Sequence, residues 1–314
     1  MNIRKYMVEQ KCPVCGDEKS VTVLPYDRYY LNINLSVCQN CATLFTKNNF
    51  SEDNVGIFYK EFYRYLYNDV KEVTVEFIDK SDDIKFAKFR FERISLFCKE
   101  NALDFNKIVE IGSGTGQFLT LLEDNQKDFF GIEPGNTFYN YLSKQKFNKK
   151  ITNTFFEEAE LPFSANFFVS FHVLEHIINP NHFLKNIYSK LSNGGHVIME
   201  VPCYDNDVQW EEYGVMDIHI AHVVYYTEDT LSRLFTQNGF RVIKIEKNLE
   251  NDFIKNNLRI FAVKDHNINY INKLNTIDEL KRYQKSFKKF SFISKNGYLT
   301  ALRSNFKAIF KLLF

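Results

Sequence analysis

No apolar run in these 314 residues reaches the length of a membrane span, so nothing in the sequence reads as a transmembrane segment. The first residues, Met1-Asn2-Ile3-Arg4-Lys5-Tyr6, lack the apolar stretch that a secretory leader would place after them. Charge of one sign is also missing. The 40 Lys and Arg against 39 Asp and Glu leave a formal net charge of +1, so no global field draws the chain to nucleic acid. Gly and Pro are few, at 12 and 6, and no internal repeat is present. The 32 Phe and 18 Tyr accompany abundant Lys, Asn and Ile, and are read as compositional bias rather than as stacking platforms. These absences predict a cytoplasmic protein with reduced thiols. Its length allows one large domain plus a smaller one.

Against this sparse glycine background, residues 108–116 stand out: Ile-Val-Glu-Ile-Gly-Ser-Gly-Thr-Gly. An apolar strand runs into three alternating glycines, and Gln117-Phe118-Leu119 then opens a helix. Glycine lets the backbone turn sharply and approach a ligand closely, and the helix start offers free N–H groups. The spacing of Gly112, Gly114 and Gly116 is G-x-G-x-G, which is neither the dinucleotide fingerprint nor a P-loop. Glu133 follows 21 positions after Gly112, at the end of the apolar run Phe129-Phe130-Gly131-Ile132. A carboxylate there can accept hydrogen bonds from both hydroxyls of a ribose.

Four of the six cysteines form two pairs, Cys12-x-x-Cys15 and Cys38-x-x-Cys41, with 22 residues between the pairs. Two such knuckles supply four thiolates in a tetrahedron, which is a closed structural zinc site with no open position for catalysis. A redox dithiol would need a thioredoxin-like βαβ unit, and none precedes either pair. Gly16 follows the first knuckle, and Asn40 inside the second is the expected left-handed residue. Cys98 falls in a helical pattern and reads as a small buried hydrophobe. Cys203 follows the fifth strand of the αβ region.

The pattern divides the chain into a zinc-binding module at 1–50, a helical linker or substrate cap at 51–105, an αβ domain at 106–264, and a basic helical tail at 265–314. Short β segments such as 20–24 and 44–46 belong to the module. Phe58, Phe62, Tyr65 and Leu66 recur at helical spacing, and a second helix carries Ile84 through Phe97. Strands are predicted at 107–111, 128–133, 151–156, 166–171, 195–201, 241–246 and 258–264. Helices are predicted at 116–124, 136–146, 180–191 and 227–238, with starts at Asn179-Pro180 and Thr227-Glu228 and a stop at Gly239. This alternation implies a seven-stranded, mostly parallel α/β sheet with helices on both faces, and ligands beyond the carboxyl ends of its strands.

Taken together, these motifs resemble the class I S-adenosylmethionine-dependent methyltransferases. The glycine stretch looks like their first motif, and Glu133 like their second-strand acid. Phe171-His172-Val173-Leu174-Glu175-His176-Ile177 is similar to their fourth-strand segment, and Leu191-Ser192-Asn193-Gly194-Gly195 to their later turn. The resemblance covers roughly 85–264 and implies a Rossmann-like methyltransferase sheet. It also implies that Glu110, Gly112, Ser113, Gly114 and Gly116 line the methionine part of S-adenosylmethionine and that Glu133 takes the ribose. Phe156 and Glu157 would then lie near the adenine, and Phe171 and His172 would flank cofactor or substrate. Where the family often has an Asp before the fourth strand, this chain has Ser164-Ala165-Asn166.

A second histidine block, Asp217-Ile-His219-Ile-Ala-His222-Val-Val-Tyr225-Tyr226, precedes the helix at Thr227. Histidine titrates near neutrality, so His222 is a candidate general base with His219 as helper; the competing reading is a histidine that only packs. His219-x-x-His222 as a metal pair lacks a third ligand with visible spacing. His176 reads as a loop-holding residue. The zinc head, the core and the His–aromatic segment resemble, as a set, bacterial sugar-tailoring methyltransferases, in which head and linker frame the sugar; Tyr59, Tyr63, Tyr65 and Tyr67 would serve here. Two departures, Ala221 where an acid often precedes the base and the absence of a large C-terminal domain, point from C-methylation of a keto-sugar toward O-methylation of a sugar hydroxyl. The expected acceptor is a nucleotide-linked sugar or a surface polysaccharide, with no nucleic-acid partner. From Lys281 to Phe314 there are nine Lys or Arg and no Asp or Glu. That tail reads either as a packed terminal helix or as an amphipathic contact with the inner membrane face.

Overall fold

The strand before the glycine cluster, β6 (Ile108–Ile111), is buried at all four positions, as a central parallel strand covered on both faces must be. It pairs in parallel with β7 (Phe129–Ile132) on one side and β9 (Ala165–Phe171) on the other. The sheet continues through β8 (Ile151–Thr152) at one edge. Beyond β9 come β10 (Leu191–Pro202), β13 (Asn257–Lys264) and β12 (Phe240–Lys247). Across the sheet the order is β8-β7-β6-β9-β10-β13-β12, and β13 runs antiparallel to both of its neighbours. This computed structural model describes residues 3–58, 73–204, 218–247, 257–267 and 281. Tyr59, Tyr63, Tyr65 and Tyr67, Phe62 and Leu66, Asp217, and the basic tail apart from residues 265–267 and Lys281 lie outside them. Among the described residues no helix is long and apolar enough to cross a membrane.

The helices start where their caps require. Asn179 accepts the His182 amide ahead of α5 (Pro180–Lys190), whose first residue needs no amide partner. Thr227 and Thr230 cap each other reciprocally at α6 (Glu228–Gln237), and Gly239, at φ 85°, takes the left-handed turn into β12. In the cap region α1 (Val75–Lys80) leads to α2 (Asp83–Glu100), which buries Ala87, Ile94, Phe97 and Cys98. Phe97 packs on Phe261 of β13 at 4.4 Å and Phe91 on Phe118 at 6.2 Å. Burial pushes the Cys98 thiol up to about 12, in keeping with a packed rather than a reactive cysteine.

Two predicted elements are shorter than their periodicity implies. The helix after β7, α4 (Asn136–Leu142), stops at Leu142 because the amides of Lys144 and Gln145 turn back to Tyr141 and Leu142 in tighter three-residue steps. The third strand leaves the sheet after Thr152, where the Asn153 side chain donates to the Glu133 carbonyl, and 156–158 winds into a 3₁₀ turn. α3 (Gln117–Asp124) follows the glycine loop as predicted.

The N-terminal module is a four-stranded antiparallel sheet in the order β11-β4-β3-β2, built from β2 (Ser20–Tyr26), β3 (Asn32–Cys38) and β4 (Leu44–Thr46). A short ribbon of β1 (Met7–Glu9) and β5 (Asn48–Phe50) lies beside it. Its fourth strand, β11 (Val224–Tyr225), comes from the far side of β10 in sequence. The module therefore takes its last strand from the histidine block. Cys12, Val14, Cys38, Cys41 and Phe45 also share one core with Leu231, Leu234 and Phe235 of α6. The left-handed residue of the second knuckle is Ala42, at φ 57°, and not Asn40. It stands one past the second cysteine, as Gly16 does at φ 77°, because the amides of Gly16 and Ala42 both close a turn onto the first cysteine's carbonyl, at 2.8 and 3.0 Å.

Candidate active site

The three loop glycines all adopt positive φ: 77° at Gly112, 52° at Gly114 and 73° at Gly116. A Cβ on Gly112 would fall 2.5 Å from Val173 Cγ2, and one on Gly116 would collide with Leu142, whereas one on Gly114 would enter open space. Gly112 and Gly116 thus serve the fold, and Gly114 lines a cradle. Glu133 braces it, with Oε2 accepting the Gly114 amide at 2.8 Å and Oε1 the Gly135 amide at 2.7 Å. Burial pushes Glu133 up to about 7 despite those two donors. Burial likewise raises Glu110 to about 8, against the pull of the Arg90 charge. Glu110 Oε2 and Ser113 Oγ are buried and lack a hydrogen-bond partner among the described residues. Buried polar atoms left unpaired in this way call for a ligand that supplies hydrogen bonds or positive charge. Thr115 of the loop donates to Asp83 at the start of α2 at 2.9 Å, which ties the cap helix to the cradle.

The end of β9 supplies the facing wall. Phe171 is covered by the Arg90 guanidinium, 4.6 Å above its ring, and meets Phe118 edge-on at 5.1 Å. His172 is left-handed at φ 57°, which turns its ring between two buried carboxylates. Nδ1 lies 3.3 Å from Glu175 and Nε2 3.4 Å from Glu200, with the Asn257 amide 3.0 Å from Nε2. Burial alone would lower the imidazole, but the two carboxylates overcome it and raise it to about 9. Glu200 is gripped in turn by Arg90 and Arg259, and stays ionised well below the usual carboxylate range although it is buried. Phe156 is 3% exposed and packs edge-on against Phe168 and Phe183 in the core rather than facing a ligand. Glu157 beside it is exposed.

His219 and His222 lie in the segment that leads into β11, and the module holds that segment in place. Asp27 is fully buried. Its carboxylate accepts the amides of Tyr29 and Leu31 with one oxygen and of Ile220 with the other. Asn49 donates to the Ile220 carbonyl at 3.1 Å. The two rings sit 3.8 Å apart, and His176 meets His222 at 4.9 Å. Tyr204 Oη lies 3.4 Å from His222 Nδ1. His176 holds the loop as read from sequence, with Nδ1 2.8 Å from the Ala221 carbonyl. Burial, and then neighbouring cations, hold both His219 and His222 well below the usual imidazole range.

The four knuckle sulfurs converge. Cys12 and Cys41 lie 3.5 Å apart, as do Cys15 and Cys38, and all four lie within 4.8 Å of one another. The donor set and spacing fit one tetrahedral zinc ion.

A family model described as a methyltransferase domain matches residues 85–245, half of the chain. The chain belongs to that family. It is an S-adenosylmethionine-dependent methyltransferase. Among solved structures it is similar to an S-adenosylmethionine-dependent methyltransferase from Clostridium acetobutylicum, at 12% identity and TM-score 0.47 over 60% of this chain and 94% of the other. A methyltransferase from Archaeoglobus fulgidus aligns at 19% identity and TM-score 0.47 over 58% and 94% of the two chains. The magnesium protoporphyrin IX methyltransferase of Synechocystis PCC 6803, solved with bound SAH, aligns at 11% identity and TM-score 0.46 over 67% and 94%. None of these likenesses bears on the acceptor. No curated protein is detectably similar in sequence.

The methyltransferase thus brings the glycine loop, Glu110, Glu133 and His172 around the carboxyl ends of β6, β7 and β9. Two further groups were passed over in the sequence. Glu175 sits inside the quoted Phe171–Ile177 block, and its signal was a carboxylate among apolar residues. Glu200 had the same signal within Val197-Ile198-Met199-Glu200-Val201. Thr46 and Asp27 carried none, since their partners are nearly two hundred residues away.

Proposed function

We propose that this methyltransferase acts on a sugar hydroxyl, of a nucleotide-linked sugar or a surface polysaccharide, with His222 as the imidazole that serves the acceptor. The observation that carries this reading is that the N-terminal module clamps the His219–His222 segment through Asp27, Thr46 and Asn49. The module, the core and the His–aromatic segment, whose combination resembles sugar-tailoring enzymes, are thereby held against one another. S-adenosylmethionine supplies an electrophilic methyl on sulfur. The chain's own residues would do the rest. Glu133 takes the ribose on lone pairs not used by Gly114 and Gly135, Glu110 and Ser113 receive the methionine end, and His172 stands at the boundary with the acceptor. His222, neutral in a metal-free site, accepts the hydroxyl proton. One zinc ion held by Cys12, Cys15, Cys38 and Cys41 would stiffen the module without taking part in the chemistry.

The test is incubation with S-adenosylmethionine and a panel of nucleotide-linked sugars, followed by mass spectrometry and NMR. A one-methyl gain on oxygen supports the reading. A methyl on carbon replaces it with C-methylation of a keto-sugar, and cofactor binding without any methylated sugar removes sugars as the acceptor. With a product in hand, His222→Ala should lower turnover and leave cofactor affinity unchanged.

A further inference from the structure

Glu175, His176 and His222 meet in one place although 46 residues separate the last two in sequence, and their ligand atoms all lie within 4.8 Å of one another. We propose that this trio binds a divalent transition-metal ion at the acceptor side of the methyltransferase site. The inference rests on the sugar-hydroxyl reading above only for what the ion would act upon.

Three observations carry it. Glu175 is 1% exposed, and among the described residues neither of its carboxylate oxygens has a hydrogen-bond partner. The His172 ring nitrogen approaches Oε1 to 3.3 Å, so Oε2 stands without even that neighbour. The protonated His172 ring offsets the charge on the Oε1 side, and a buried Oε2 left without a donor is costly unless a donor or a second cation completes it. Second, His176 is oriented as a ligand. Its Nδ1 lies 2.8 Å from the Ala221 carbonyl, which can only accept, so Nδ1 carries the proton. Nε2 keeps its lone pair and points toward Glu175 Oε1 at 3.8 Å. This is the backbone-carbonyl support that fixes the tautomer of metal-binding histidines. Third, the backbone keeps the trio together: the Val223 amide donates to the Glu175 carbonyl at 2.7 Å, and the Thr46 hydroxyl to the His222 carbonyl at 2.5 Å. Metal–ligand bonds of about 2.0–2.2 Å place tetrahedral ligands roughly 3.4 Å apart, and the His176 Nε2–Glu175 Oε1 pair, at 3.8 Å, is already close to that spacing.

Two imidazoles and one carboxylate make a borderline donor set suited to zinc, iron or cobalt rather than to magnesium or calcium. Three protein ligands leave a position open. An acceptor hydroxyl bound there would be acidified by the ion. Its oxygen would form the new O–CH₃ bond as the S–CH₃ bond breaks, S-adenosylhomocysteine would depart, and the hydroxyl proton would pass to water. His222 would then act as a ligand and not as the base; the two roles exclude each other within one turnover.

The experiment is a Co²⁺ titration of the full chain loaded beforehand with one zinc equivalent. One further equivalent is expected, giving visible d–d bands without the near-ultraviolet charge-transfer band of cobalt–thiolate bonds. Glu175→Gln and His176→Asn should each weaken it at least tenfold while S-adenosylhomocysteine still binds, which shows that the variants fold. No second equivalent, a second equivalent with thiolate bands, or equal binding in both variants overturns the site. Sugar methylation that continues undiminished in the singly zinc-loaded protein under a chelator also overturns the site and leaves the sugar reading standing. Co²⁺ binding as expected with no sugar methylated overturns the sugar reading and leaves the site.

Discussion

Thr46 of the N-terminal module donates its hydroxyl hydrogen bond to the main-chain carbonyl of His222 at 2.5 Å, across a sequence separation of 176 residues. The Thr46 amide also donates to the Val223 carbonyl at 2.9 Å, and β4 pairs with β11 one residue further on. The module therefore fixes the backbone that carries the candidate acceptor residue. Thr46→Val keeps the shape and removes the donor, leaving a buried carbonyl unpaired at a cost of about 1–3 kcal/mol. Turnover should fall several-fold with cofactor affinity unchanged, as read by steady-state kinetics beside calorimetry of S-adenosylhomocysteine. Equal losses in both would show that the contact only stabilises the fold.

Asp27 extends the same argument. Its carboxyl accepts three amides in a fully buried position, and burial raises it to about 7. Asp27→Ala should destabilise the protein by about 3 kcal/mol or more, since three buried donors lose their partner at once. Thermal unfolding measures this, and a shift in melting temperature of only a degree or two would contradict the clamp.

Cys38→Ser should release zinc and loosen β3 and β4. Because β11 and the α6 core lie against the knuckles, the loss should reach turnover as well as metal content. Metal analysis together with activity checks it. Full activity in a zinc-free variant would mean that the module folds without its ion.

The central sheet was legible because its determinants are local: alternation of strand and helix, the capping residues Asn179 and Thr227, and the stop at Gly239. The contact between the glycine loop and Glu133 was legible for the same reason, since Gly112–Gly116 and Glu133 belong to one βαβ unit. The surroundings of His222 were not. The approach of Glu175 and His176 to His222 left no local signal, because both arrive from another strand's end just past left-handed His172. The second knuckle misled for a related reason. Asn usually tolerates positive φ better than Ala, but the hydrogen-bonded turn sets the left-handed position one past the cysteine, whatever residue stands there. Phe156 followed the third strand as expected, yet the strand's early exit places its ring in the core.

Gly114→Ala and Gly112→Ala should separate binding from folding. An alanine at 114 meets nothing within 4 Å, so it should cost only about 1 kcal/mol of backbone strain while filling the cradle and weakening cofactor binding tenfold or more. An alanine at 112 strikes Val173 and should lower stability by about 1–3 kcal/mol as well. Melting temperatures and cofactor titration of the pair distinguish the two effects. Equal behaviour of both variants would remove Gly114 from the cradle.

The pH dependence of the cofactor site follows from Glu133, raised to about 7, and Glu110, raised to about 8, in the ligand-free protein. Unfolded, both would titrate near the ordinary 4.5. The folded chain thus holds more protons than the unfolded chain between about pH 4.5 and 8, so these two groups make the ligand-free fold less stable as pH rises through that window. Cofactor binding reverses the balance. On the proposed reading, ribose hydroxyls would donate to an ionised Glu133 and the cation of S-adenosylmethionine would favour an ionised Glu110, so binding would expel protons. Affinity should therefore rise between pH 6 and 8, on the order of tenfold per proton released per pH unit at the steepest point. Calorimetry in buffers of different ionisation enthalpy should detect the released protons, fewer of them in Glu110→Gln and Glu133→Gln. An affinity that stays flat across this range, with no buffer dependence of the heat, would show that neither carboxyl gives up its proton to the cofactor.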